Sequence, residues 1–160
     1  MGTRALIRIN FDGTSWNLYK HYDGYIEGLG KEIAQFLEPM EIVNGISGGT
    51  EFGKVANGAG DGVLQLICHL KSLEGNQVGN LYAESSTATL EDSWCEYEYV
   101  INFKSNYNLM PEEPPITISC RSVYKDAFDP YGSYIEPLAP GEFLTTIKEL
   151  EKIKLNKKRI

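Results

Sequence analysis

The sequence predicts an α+β domain: a mainly antiparallel five-stranded sheet with about three helices packed on one face. Three observations lead there. Stretches such as RALIRINF and WCEYEYVINFK alternate apolar and polar residues, as half-buried strands do. An Asp-Gly pair between the first two alternating stretches marks a hairpin and hence antiparallel neighbours. Helical periodicity falls in separate segments, not between every pair of strands, so the chain does not read as repeated β-α-β units.

The first strand spans Arg4 to Phe11, with Ala5, Ile7, Ile9 and Phe11 on one face and Arg4, Leu6, Arg8 and Asn10 on the other. After DGTS, the strand WNLYKHY returns with Trp16, Leu18, Lys20 and Tyr22 opposite Asn17, Tyr19 and His21. GLGKEIAQFLEP predicts a short helix turning Ile33, Phe36 and Leu37 inward, and Pro39 stops it. Residues 44–62 read as one long loop, because seven of the nineteen are glycine. DGVLQLICHLKSL predicts a second helix capped by Asp61, with Val63, Leu64, Ile67 and Leu70 as its apolar stripe. GNLYAES is a third strand. In WCEYEYVINFK, Cys95, Tyr97, Tyr99, Ile101 and Phe103 share one face, and Glu96, Glu98 and Asn102 belong to a solvated one. PITISCRSVY is the fifth strand, KDAFDPYGSYIEPLAP a Pro- and Gly-punctuated loop, and PGEFLTTIKELEKIKL a closing helix.

The 160 residues suit a single domain, 1–160, with a real core. Apolar residues make up 42% and charged residues 23%, as in ordinary globular chains. No run approaches the roughly 20 apolar residues of a membrane span. MGTRALIRIN becomes strand-like at once and predicts no signal peptide, so the expected location is the cytoplasm. Cys68, Cys95 and Cys120 are odd in number and each lies in an apolar run, which predicts three reduced core thiols. Metal-ligand spacing is lacking, and neither a metal nor a cofactor is expected. The net charge is −7, and the stretch from Lys148 onward holds six bases against two acids, so the preceding 147 residues carry −11. An acidic body argues against broad nucleic-acid binding, and the basic C-terminal tail reads as a solvated end.

GTR at Gly2 to Arg4, LYKHYDGYIEGLG at Leu18 to Gly30, NGAGDGVLQLICHLK at Asn57 to Lys71, GNLYAES and YEYVI together span about the first two thirds of the chain. With these pieces it resembles a family of small proteins of bacteria, archaea and their phages that carry GTR and YxxxDGYxxGxG motifs. The family brings no established reaction. The resemblance implies a prokaryotic or viral cytosolic protein, in the host cytosol if phage-encoded, and a phage-type role in sequestering a host signalling nucleotide.

Two constellations carry the chemistry the residues themselves offer. In the first, Arg4, Arg8 and Lys20 would form a compact cationic patch if the hairpin register places them together, with Tyr19, Tyr22 and Tyr25 as stacking surfaces. Phosphate plus base suits that set, so the expected ligand is small, anionic and nucleotide-derived. His21 and Asp23 at i,i+2 could form an oriented imidazole–carboxylate pair, the catalytic pair of a phosphodiesterase-type hydrolase if the protein is an enzyme. A solvated hairpin face is the plain alternative. In the second, Asn57 and Gly58 precede a helix N-terminus that could hold an anion, although Asp61 there would repel one. Gly24, Gly28 and Gly30 read as positive-φ positions at a strand-to-helix corner. The leading expectation is a self-associating ligand-binding protein without turnover. A third reading is an acidic protein–protein inhibitor or adaptor, in which Glu96, Glu98, Glu112 and Glu113 would matter.

Overall fold

The computed structural model describes residues 2–45, 51–75, 78–104, 112–123 and 134–158. In chain order the elements are β1 (Ala5–Phe11), β2 (Thr14–Lys20), a single π-helical turn (Ile26–Gly30), α1 (Lys31–Leu37), β3 (Glu41–Val43), β4 (Val55–Asn57), α2 (Ala59–Ser72), β5 (Leu81–Glu84), β6 (Tyr97–Phe103), β7 (Ile116–Ser122), β8 (Tyr134–Leu138) and α3 (Pro140–Lys158). The architecture is α+β, as expected. Its main sheet has six strands in the order β5-β2-β1-β6-β7-β8, and a two-stranded sheet pairs β3 with β4. Every pairing in the main sheet is antiparallel except β1 with β6.

The β1–β2 hairpin closes through Asp12 at φ 45 and Gly13 at φ 78, the two positive-φ positions that a two-residue turn with the right twist requires. Its register sets Ala5 opposite Lys20, Ile7 opposite Leu18 and Ile9 opposite Trp16. Because side chains alternate along a strand, Leu18 and Lys20 share the face of Ala5, Ile7 and Ile9. That face carries the main core: Ile7, Ile9, Tyr99, Ile101 and Ile118 of the sheet pack against Ile33 and Leu37 of α1, Val63, Leu66 and Leu70 of α2, and Phe143 and Ile147 of α3. A second, smaller cluster lies on the opposite face, where Leu6 is fully buried under Leu90 and Cys95. The expected solvated face is therefore covered in part.

The structure corrects several expectations. Residues 44–62 do not run as one loop: Val55–Asn57 pairs in parallel with Glu41–Val43, while 46–50 lie outside the described residues. Three-residue strands carry too short a pattern to stand out among glycines. The second helix begins at Ala59, not at Asp61, and Gly58 at φ 85 precedes it. Its stripe is Val63, Leu66 and Leu70, and Leu64 is exposed. Tyr134–Leu138, read as loop, is an edge strand, a position in a sheet that tolerates Pro137. Cys68 is exposed, so only Cys95 and Cys120 are core thiols, and none of the three is in a disulfide. No described helix is long and apolar enough to cross a membrane.

Candidate functional site

The stretch Tyr22 to Gly30 forms the corner between β2 and α1, and close packing fixes its course. Tyr99, fully buried at the centre of the core, donates its hydroxyl to the Gly24 carbonyl at 2.6 Å. Burial also pushes the Tyr99 phenol well above its ordinary pKa, which keeps the donating proton in place. The Gly24 N–H donates to the Thr3 carbonyl at 2.9 Å. A Cβ on Gly24 would sit 2.6 Å from the Ala5 Cβ, and one on Gly28 would sit 2.9 Å from the Tyr25 ring. One on Gly30 would lie 3.0 Å from the Tyr99 ring. These glycines are required by close approach. The positive φ expected of them belongs instead to Asp23, at 59.

The corner, the end of β2 and the last turn of α2 enclose a hollow of about 250 Å³. Leu29, Leu70, Leu73 and Leu81 supply its apolar wall. Lys20, Asp23, Tyr25 and Glu32 supply its polar groups, and among the described residues Lys20 is the one cation lining it. Burial lowers the Lys20 pKa, while Glu74 and Asp23 pull it in the other direction. Lys71 stands nearby but is engaged: its amine reaches Glu74 at 2.6 Å and donates to the Leu81 carbonyl at 2.9 Å. Among the described residues no ion pair or hydrogen bond holds the Lys20 amine. Glu32 has its own support. The His69 Nε2 lies 2.9 Å from Glu32 Oε1, and the His69 ring stacks on Phe36 with centroids 4.1 Å apart and planes within 13°.

Of the residues singled out in the sequence, Lys20, Asp23 and Tyr25 come together in this hollow. Arg4 and Arg8 do not. They lie on the opposite face of the sheet, because the register that sets Ala5 against Lys20 puts the even-numbered residues of β1 on the other side. The compact patch of Arg4, Arg8 and Lys20 does not form. Arg4 pairs with Glu96 at 3.4 Å. Arg8 lies 3.7 Å from Glu98 and donates to the Ala88 carbonyl at 2.7 Å. Glu98, read as solvated, is buried between Arg8 and Arg121, the latter at 3.2 Å. The positive charge on that face is already neutralised.

His21 and Asp23 do not form a pair. The His21 Nδ1 bonds the Tyr19 hydroxyl at 2.8 Å, which turns the imidazole to the Tyr19 side of the hairpin, away from Lys20. Tyr22 packs edge-on against the His21 ring with centroids 4.5 Å apart, and its N–H donates to Asn80 Oδ1. Asn57 and Gly58 stand at the other end of α2, a 14-residue helix and so about 20 Å from Leu70 and Leu73. There the Asp61 carboxylate accepts from the Asn57 N–H at 2.8 Å and from Gln65 at 3.1 Å, so this helix start already holds an anionic group of its own. Glu32 and the leucines of the hollow were missed as site residues. Glu32 reads from sequence as an outward-facing helix residue, and only the packing of α1 on α2 brings it beside His69. The described residues include no group of three or more His, Cys, Asp or Glu side chains placed to hold a metal. Comparison of the chain with protein-family models, curated proteins and solved structures returns no match.

Proposed function

We propose that the protein binds a small anionic, nucleotide-derived ligand in the hollow formed by β2, the Asp23–Tyr25 corner and the end of α2, and holds it without turnover. The single observation that carries this reading is Lys20: an amine that no hydrogen bond or ion pair among the described residues holds, in an apolar-walled hollow on an otherwise acidic chain. An anionic group would take Lys20 as its direct partner, beside the two carboxylates, Asp23 and Glu32, that also line the hollow. Asp23 and Glu32 accept hydrogen bonds from sugar hydroxyls or an exocyclic amine, and the Tyr25 ring offers a stacking face. A hollow of about 250 Å³ lies just below the usual size range of ligand sites, which favours a mononucleotide over anything larger. The phage-type role then follows from mass action, because a tight binder lowers the free concentration of its ligand. Catalysis by His21 and Asp23 is disfavoured, since the two side chains are not paired and His21 is bonded to Tyr19.

A melting-temperature screen against nucleoside monophosphates and cyclic mononucleotides tests the proposal. A ligand at a hundred times its Kd adds about 2.7 kcal/mol to stability, enough for a clear upward shift. The shift is expected to vanish in Lys20→Met. A flat response across the whole panel would count decisively against it.

A further inference from the structure

We propose that Lys20 is a carbonyl-reactive amine, so that the hollow can capture small aldehydes and ketones as imines. The inference rests on the pocket reading above and adds a chemical activity to it. Three features support it. Lys20 lines the hollow together with Leu29, Leu70, Leu73 and Leu81, and no described hydrogen bond or ion pair holds its amine, whereas Lys71 nearby is tied to Glu74 and the Leu81 carbonyl. Its burial shifts the balance from ammonium toward the neutral amine, the form that attacks a carbonyl carbon. Two carboxyl groups, Asp23 and Glu32, line the same hollow and can exchange protons, and Glu32 is steadied by His69 at 2.9 Å.

The step balances without an oxidant or reductant. The Lys20 nitrogen lone pair forms a C–N bond to the carbonyl carbon, and the C=O π pair moves to oxygen. The oxygen takes a proton while the nitrogen gives one to a carboxylate. A second protonation of the resulting hydroxyl lets it leave as water, the nitrogen lone pair closes the C=N bond, and the iminium gives its remaining N–H proton back to a carboxylate. Amine and carbonyl compound thus give an imine and one water.

Reductive trapping reads this directly. The full chain is incubated at neutral pH with butanal and sodium cyanoborohydride, which reduces each imine to a butyl amine, and the label is quantified at each of the eleven lysines by peptide mass spectrometry. Lys20 is expected to react on the order of tenfold faster than the median of the other ten, because a larger fraction of a desolvated amine is neutral at this pH and it is better placed than a solvated one. Lys20→Arg should remove only that fast component. Labelling of Lys20 at or below the median rate overturns the inference. The nucleotide melting screen reads the pocket independently. An unreactive Lys20 in a protein that shows the shift refutes imine capture alone, and an unreactive Lys20 with no shift refutes the pocket as well.

Discussion

Arg8 of β1 and Lys20 of β2 are positive side chains on neighbouring strands, yet their surroundings are opposite. Arg8 lies on the face where Glu98 is buried, and Arg121 and the Ala88 carbonyl complete the set. Lys20 lies on the helix face, at the edge of the main core, among leucines and with carboxylates near but not in contact. One face spends its charges on holding the fold together. The other leaves a charge available. What separates them is register, since alternation makes adjacent positions on a strand belong to different chemical environments.

The largest expected effect breaks the first half of this contrast. Glu98→Ala removes the counter-charge that Arg8 and Arg121 share, leaving Arg121 only the exposed Glu91 at 3.0 Å, and should cost about 3 kcal/mol, at the low end for a buried pair because both arginines keep some solvent. For a chain of this size that is a fall of about 10 °C in melting temperature. A loss below about 1 kcal/mol would make that face an ordinary solvated one. Gly24→Ala comes next. It drives a methyl to within 2.6 Å of the Ala5 Cβ and should cost about 1–3 kcal/mol in urea unfolding. It should also weaken ligand binding, because the same corner presents Asp23 and Tyr25. An unchanged midpoint would show that the corner has room to spare.

The smallest effect sharpens the second half. Lys20→Met should change stability by less than about 1 kcal/mol at neutral pH, because no described partner is lost. Its pH dependence carries the information. Burial lowers the folded-state pKa of Lys20, so the unfolded chain binds the proton more tightly. The resulting destabilisation is complete below the folded pKa and disappears as pH rises to the ordinary lysine value of 10.5. Wild type should therefore gain on Lys20→Met as the solution becomes alkaline, measured as the difference between the two melting curves from pH 7 to 10. The difference cancels the opposite drift from Tyr19 and Tyr99, whose pKa values burial raises. A pH-independent difference would place Lys20 in water.

The fold was legible where patterns are long. The seven-residue alternations of β1 and β6 and the apolar positions of α3 read directly, and so did the Asp12-Gly13 turn. The parallel β1–β6 pairing was not legible, since strands over 85 residues apart carry no mark of which neighbour they choose. β3 and β4 were too short to show a period, and Pro137 disguised β8. For the candidate site, the motif from Tyr19 to Gly30 named Lys20, Asp23 and Tyr25, which the structure brings together in one hollow. It misplaced Arg4 and Arg8, because the faces that pair depend on register. It missed Glu32, because a contact between two helices leaves no trace in either alone.

The proposed function puts the ligand on the helix face of the hairpin and not on the arginine face. A titration with adenosine 5′-monophosphate followed by amide NMR shifts tests it most directly. The account predicts that the shifting amides cluster at Lys20, Asp23, Tyr25, Glu32, Leu70 and Leu81, and that the cluster is lost in Lys20→Met. Shifts centred on Arg4, Arg8 and Glu98, or on Asn57 and Gly58, would contradict it.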